Sequence, residues 1–311
     1  MSAAREYLLG RIEAIGSILA SHLAIDASPV PQANSPAVVI RNGAMVMLFC
    51  ALEGFIRDRS LECARAINQT SVPYSHLPAS LKAASLISTF EGLMNLSRQM
   101  SFTDRLTAFE KASVAVASGA LGAPYNFTEY SFARDKSNIT ADDISKIAKG
   151  FGVENFWNAA RAICAKIGAP IVGNLDEIFK QLALDRHKAA HASSYSVSHN
   201  RLTSALPEAL VLALAFDVLV SAATARLSSS RIATGLPPSA LTANDVDFIT
   251  VRPHQTNKWA AFSPARARAL FTESSQGEAL SRAVTVAASR QLSILCKDNT
   301  GRASSWKTLL G

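Results

Sequence analysis

The chain has 311 residues, 49% of them hydrophobic and 18% charged, with a formal net charge of +7. That length and apolar content suffice for one large or two modest domains with a well-filled core, which excludes an intrinsically disordered chain and a small disulfide-framed one. The positive balance favours polyanionic partners, without separating RNA from DNA or an acidic protein, and most of it is C-terminal: residues 229–311 hold 10 Lys and Arg against 5 Asp and Glu.

A first helix is expected over residues 3–24, where Arg5, Glu6, Arg11 and Glu13 break up any apolar run that a signal peptide would need. Three prolines make a loop of residues 26–36. The triplet Asn34-Ser35-Pro36 then supplies a cap followed by proline in the first turn, so a long helix is expected from there to about Asn68. After the turn Ser71-Val-Pro-Tyr, helices are expected at 78–98 and 103–118, followed by an irregular link over 119–137. Asp142 and Asp143 suit the dipole at the start of a short helix.

Further helices are expected at about 154–168, 174–193 and 204–228. Residues 209–225 are the greasiest stretch, but Asp217 interrupts it, Glu208 precedes it, and it is too short for a bilayer. It reads as a buried bundle helix, with no membrane involved. Strand signals are nearly confined to residues 247–251. Ser, Gly and Pro cluster at 228–238, which divides the chain into a helical domain, 1–230, and a basic C-terminal appendage, 231–311. Two helices, near 263–273 and 276–296, and a tail bearing Trp306 are expected in the appendage. Cys50, Cys63, Cys164 and Cys296 are widely spaced and include no Cys-x2-Cys pair, so they read as reduced thiols of a cytoplasmic protein.

Chemistry concentrates in Arg186-His187-Lys188-Ala189-Ala190-His191. On a helix His187 and His191 stand at i and i+4 and share a face, and the long planar head of Arg186 reaches the same region. Histidine ordinarily titrates near 6.5, so it both accepts and returns a proton near neutrality. Metal-free RNA cleavage needs that pair of transfers, one from the attacking 2′-hydroxyl and one to the 5′-oxygen leaving group, while a guanidinium fork steadies the charge growing on phosphorus oxygens. No cofactor is required. The sequence contains no Gly-x4-Gly-Lys-Ser/Thr loop, no His-Glu-x2-His and no Gly-x-Ser-x-Gly turn. The bland alternative for Arg186 is an ion pair with Glu177 or Asp185; for His191 it is a helix-end histidine.

These residues resemble the Arg-x4-His signature of the HEPN superfamily, with His187 at the polar position after the arginine. The run from Arg41 to Asp58, apolar with an embedded Glu53 and an Arg57-Asp58 pair, is similar to the long first core helix of two allied HEPN families, RiboL-PSP-HEPN and the MAE_28990-like family. The stretch from Ser137 to Gly152, with its Asn138 and closing Gly-Phe-Gly, resembles their short capped helix. The resemblance implies an all-α HEPN-like bundle, commonly a homodimer. Many such proteins are metal-independent endoribonucleases of toxin-antitoxin and antiphage-defence systems, with antitoxins or other partner proteins, while others have lost the chemistry. One subgroup extends the signature to Arg-x4-His-x-Tyr; here Ser193 holds that place and the tyrosine is Tyr195.

On this reading the catalytic candidates are Arg186, His191 and His187. Glu53, Lys188, Tyr195 and Arg201 are candidates for binding or orienting RNA, and the products are 2′,3′-cyclic phosphate and 5′-hydroxyl ends. The alternative is a non-catalytic HEPN-type dimer that binds RNA, nucleotide or a protein partner.

Overall fold

Two long apolar helices organise the structure, a computed structural model that describes residues 2–26, 35–70, 72–121, 125–169, 173–228, 240–255, 257–264, 266 and 268–310. The first, α2 (Pro36–Asn68), starts where Ser35 accepts a hydrogen bond from the Val38 amide and proline occupies the first turn. The second, helix α9 in chain order (His199–Leu227), is capped by Ser198 and buried almost continuously from Ala209 to Ser221. By length and composition each is apolar enough to cross a membrane. Here they pack on each other, and α1 (Ala3–Leu19), α7 (Phe156–Ile167) and α8 (Leu175–His191) close around them. Each large apolar side chain fully buried in this core contributes about 1.5–3 kcal/mol.

A second run forms α3 (Ala79–Ala83) and α4 (Thr89–Leu96), joined through one wide turn, Ala84–Ser88, and followed by α5 (Phe102–Ala120). Helix α6 (Ala141–Gly150) starts at a capping box in which Thr140 and Asp143 satisfy each other's orphan amides. The cap is therefore Thr140, while Asn138 is exposed.

The C-terminal part departs from the all-α expectation. It is a five-stranded sheet of order β3-β2-β1-β4-β5, built from β1 (Phe248–Pro253), β2 (Trp259–Phe262), β3 (Phe271–Glu273), β4 (Ser293–Lys297) and β5 (Ala303–Lys307). Strands β1 and β4 run parallel and the other neighbours antiparallel. The crossover carries α10 (Gln276–Arg290), whose Ala279, Ala283 and Ala287 pack on Ile249, Val251, Ile294 and Cys296. The helix expected at 276–296 is thus real only to Arg290. Gln291 turns left-handed, with φ 54°, and the following residues pair as β4. Of the helix expected at 263–273, the described end is β3, held by pairing with β2. Both differences arise because strand pairing, with β1 some forty-five residues earlier for β4 and with nearby β2 for β3, overrides local helix propensity.

The sheet does not hang free. Its other face buries Phe248, Leu295 and Trp306 in the same apolar cluster as the bundle helices. The composition break proposed at 228–238 falls mostly outside the described residues.

Candidate active site

Helix α8 forms because Leu175, Phe179 and Leu182 recur at helical spacing and bury against the bundle, with Phe179 tilted on Phe49 of α2 at 5.4 Å. The next positions break that stripe. His187 and His191 are both exposed, and their ring centroids stand 5.0 Å apart, as i and i+4 dictate. Arg186 is partly exposed, and its Nε is buried without a hydrogen-bond partner. Neither expected ion-pair partner is available to it. Asp185 is taken by Arg201 at 2.6 Å, and Glu177 by Lys180 at 2.7 Å. Among the described residues Arg186 makes no ion pair closer than 4.0 Å.

Its charge is felt by Glu53 on α2, which is buried and accepts a hydrogen bond from the Ile139 amide at 2.6 Å. Burial pushes the Glu53 carboxyl up, and the opposing pull of the Ile139 amide, Arg57 and Arg186 does not cancel it. The neighbouring residues of α2 secure the link that carries Ile139. Arg57 donates to the Ala133 carbonyl at 2.9 Å, and Asp58 pairs with Arg134 at 2.8 Å. Asp58 is therefore a tether for the 133–139 link.

The start of α2 does the same for the segment after α8. Arg41 is fully buried and donates to the carbonyls of Val197 and Ala24 and to Asp26. Asn42 brackets that segment, donating to the Tyr195 carbonyl and accepting from the Val197 amide. The α2 run from Arg41 to Asp58 thus grips two separate segments, one directly after the histidines.

The remaining candidates are engaged. Tyr195 donates its hydroxyl to Asp185 at 2.9 Å, and burial together with that carboxylate pushes the phenol up to about 12. Arg201 bridges Asp185 and Glu208. Lys188 is exposed, with its ammonium 5.7 Å from the centre of the Tyr195 ring. Asp185 joins Tyr195 and Arg201 behind the histidine face. In the sequence Asp185 is only a neighbour of Arg186, and no local pattern links it to residues ten and sixteen positions away.

The arrangement offers the Arg186 guanidinium, free of any carboxylate, beside two exposed imidazoles, while Arg201, though ion-paired, also keeps one buried Nη2 without a partner. Both imidazoles and part of the Arg186 side chain face solvent. A bound phosphate would be open to water on the far side. Among the described residues no group of three or more His, Cys, Asp or Glu side chains gathers to hold a metal ion.

The family model RiboL-PSP-HEPN matches residues 10–222, a span that includes Glu53, the histidine face of α8 and nearly all of α9. No curated protein and no solved structure matches the chain.

Proposed function

Because the chain belongs to the RiboL-PSP-HEPN family, we propose that it is a metal-independent endoribonuclease, acting as a toxin or antiphage effector in a cytoplasmic setting. Family membership points to a nuclease or RNA-related role. The observation that carries the finer reading is the unpaired Arg186 guanidinium beside two exposed imidazoles on the last turns of α8. An arginine left without a carboxylate, half-buried, is suited to an anion from outside.

In the proposed reaction the 2′-hydroxyl loses its proton to the His191 ring and its oxygen attacks the adjacent phosphorus. The bond from phosphorus to the 5′-oxygen breaks, and that oxygen takes a proton from an imidazolium. Arg186 stabilises the charge on the non-bridging oxygens, and His187 orients the His191 ring or the substrate. The products are a 2′,3′-cyclic phosphate and a 5′-hydroxyl. The open side of the site is closed by a second copy of the chain presenting the same face, so two His191 rings divide the accepting and donating roles.

The test is digestion of RNA in EDTA by wild type beside Arg186→Ala and His191→Ala, with analysis of the ends produced and circular dichroism to check folding. Both variants should fold and lose cleavage by at least a hundredfold, the usual scale for a lost acid-base or oxyanion group. Undiminished cutting by pure His191→Ala contradicts the assignment. The coulombic pull of Arg186 on buried Glu53 favours a second reading, a non-catalytic dimer that binds RNA, nucleotide or protein. Wild type that binds RNA and never cuts it supports that reading.

A further inference from the structure

The sheet has two ends with opposite fates. On the face turned away from α10, Phe248 and Leu295 are buried in the bundle core, whereas further along the same strands Thr250, Arg252 and Lys297 overhang the end of α7. There they line a cleft of about 260 Å³ together with Phe262 and Ser263. Arg252 and Lys297 lie one step beyond the paired residues Val251 and Cys296, on neighbouring strands. Like charges so placed repel, and no carboxylate relieves them: neither side chain makes an ion pair or hydrogen bond among the described residues.

The one carboxylate lining the cleft, Asp247, is engaged by Lys166 at 3.0 Å, and Lys166 also donates to the carbonyls of Ala243 and Val246. The Cζ of Arg252 sits over the Phe262 ring, 4.2 Å from its centre, a contact that favours the guanidinium's place while leaving it exposed. Burial and the neighbouring Arg252 both push the Lys297 ammonium down, the direction that a bound anion would reverse.

We propose that this cleft binds a nucleotide phosphate, with Arg252 and Lys297 holding the anion and the Thr250 and Ser263 hydroxyls as further donors. Fixed donors and an aromatic-backed guanidinium suit a phosphate ester whose base remains outside, stacked or free. The phosphate comes either from a strand of RNA or from a free nucleotide. The inference does not rest on cleavage at α8, since it needs only binding.

The test uses the full chain and a short fluorescent 2′-O-methyl oligoribonucleotide, which cannot undergo transesterification. Anisotropy is followed over a salt series for wild type, for Arg252→Gln with Lys297→Met, and for Lys258→Gln with Arg290→Gln, a pair of exposed cations elsewhere in the C-terminal unit. Gln and Met keep the side-chain stems, and thermal unfolding checks that each variant folds. The first pair should weaken binding roughly tenfold near 0.1 M salt and flatten the salt slope by about 0.7, one phosphate at the single-strand value. The control pair should change affinity less than twofold. Competition with AMP identifies the source: displacement assigns a free nucleotide, and no displacement assigns the strand. Unchanged affinity in the Arg252/Lys297 pair, an equal loss in the control pair, or wild type binding neither probe overturns the proposal.

Discussion

The indole of Trp306, on the last strand, donates to the Oδ2 of Asp217 in the middle of α9 at 2.7 Å, and neither side chain reaches solvent. Asp217 also receives Arg5 at 2.8 Å, Arg59 at 2.7 Å and Ser221 at 2.8 Å. The first helix, both long helices and the final strand therefore meet on one carboxylate. A charge so buried is tolerable because every lone pair is used.

Removing that centre should be severe. Asp217→Ala strands two buried guanidinium groups, and the expected loss is about 3–5 kcal/mol, read as a fall in urea midpoint. Burial alone would push the Asp217 carboxyl up, but Arg59 and Arg5 hold it below its ordinary value of 3.8. Its contribution is accordingly complete above pH 3.8 and lost only as pH falls through the depressed value. Wild-type stability should show no Asp217-dependent step between pH 5 and pH 8.

Trp306 gives a graded test of how tightly the sheet and bundle are joined. It stands edge-on to Phe55 at 6.2 Å, and Arg5 lies 5.7 Å from its ring centre. Trp306→Phe keeps most of the apolar contact but leaves an Asp217 lone pair empty, at a cost of about 1–3 kcal/mol. Trp306→Ala adds a cavity and should cost about 3–5 kcal/mol. A single thermal transition in wild type that splits in two for the alanine variant would show that this contact carries the coupling.

Glu53 titrates with the opposite sign. Its folded value is raised above 4.5, so the folded state holds its proton longer and stability falls as pH rises from 4.5 through the raised value. Glu53→Gln keeps an acceptor for the Ile139 amide and removes the titration. The slope of stability against pH in that window should flatten in the variant; an unchanged slope would place the titration elsewhere.

Gly92 shows how little room the 130–134 link leaves. A Cβ there would stand 2.5 Å from the Tyr130 carbonyl oxygen and 2.9 Å from the Arg134 Cβ. Backbone has to move, so Gly92→Ala is expected to destabilise by about 1–3 kcal/mol despite its better helix propensity. The same shift should disturb the Asp58 to Arg134 pair, visible as altered exchange of amides in residues 133–139.

Arg201 is held between two carboxylates, which suits a brace better than a contact to RNA. Arg201→Gln leaves buried Asp185 and partly buried Glu208 without their cation, an expected loss of about 1.5–3 kcal/mol. If its role is bracing, cleavage per folded molecule should fall less than tenfold. A larger fall at unchanged stability would assign it to the substrate.

The long helices were legible in the sequence because their information is local. Ser35-Pro36 announces the start of α2, an apolar period announces α8, and the i, i+4 spacing alone places His187 beside His191. What the sequence left open was everything that depends on partners far along the chain. Whether Arg186 is paired was decided by Arg201, which folds back sixteen residues to take Asp185. Whether residues 293–297 are helix or strand was decided by β1, more than forty positions earlier. The role of the Arg41 to Asp58 pattern, gripping the segments after α8 and before α6, emerges only when those segments arrive. Composition and periodicity constrain one element at a time; buried charges and strand edges are satisfied only by neighbours that the tertiary structure supplies.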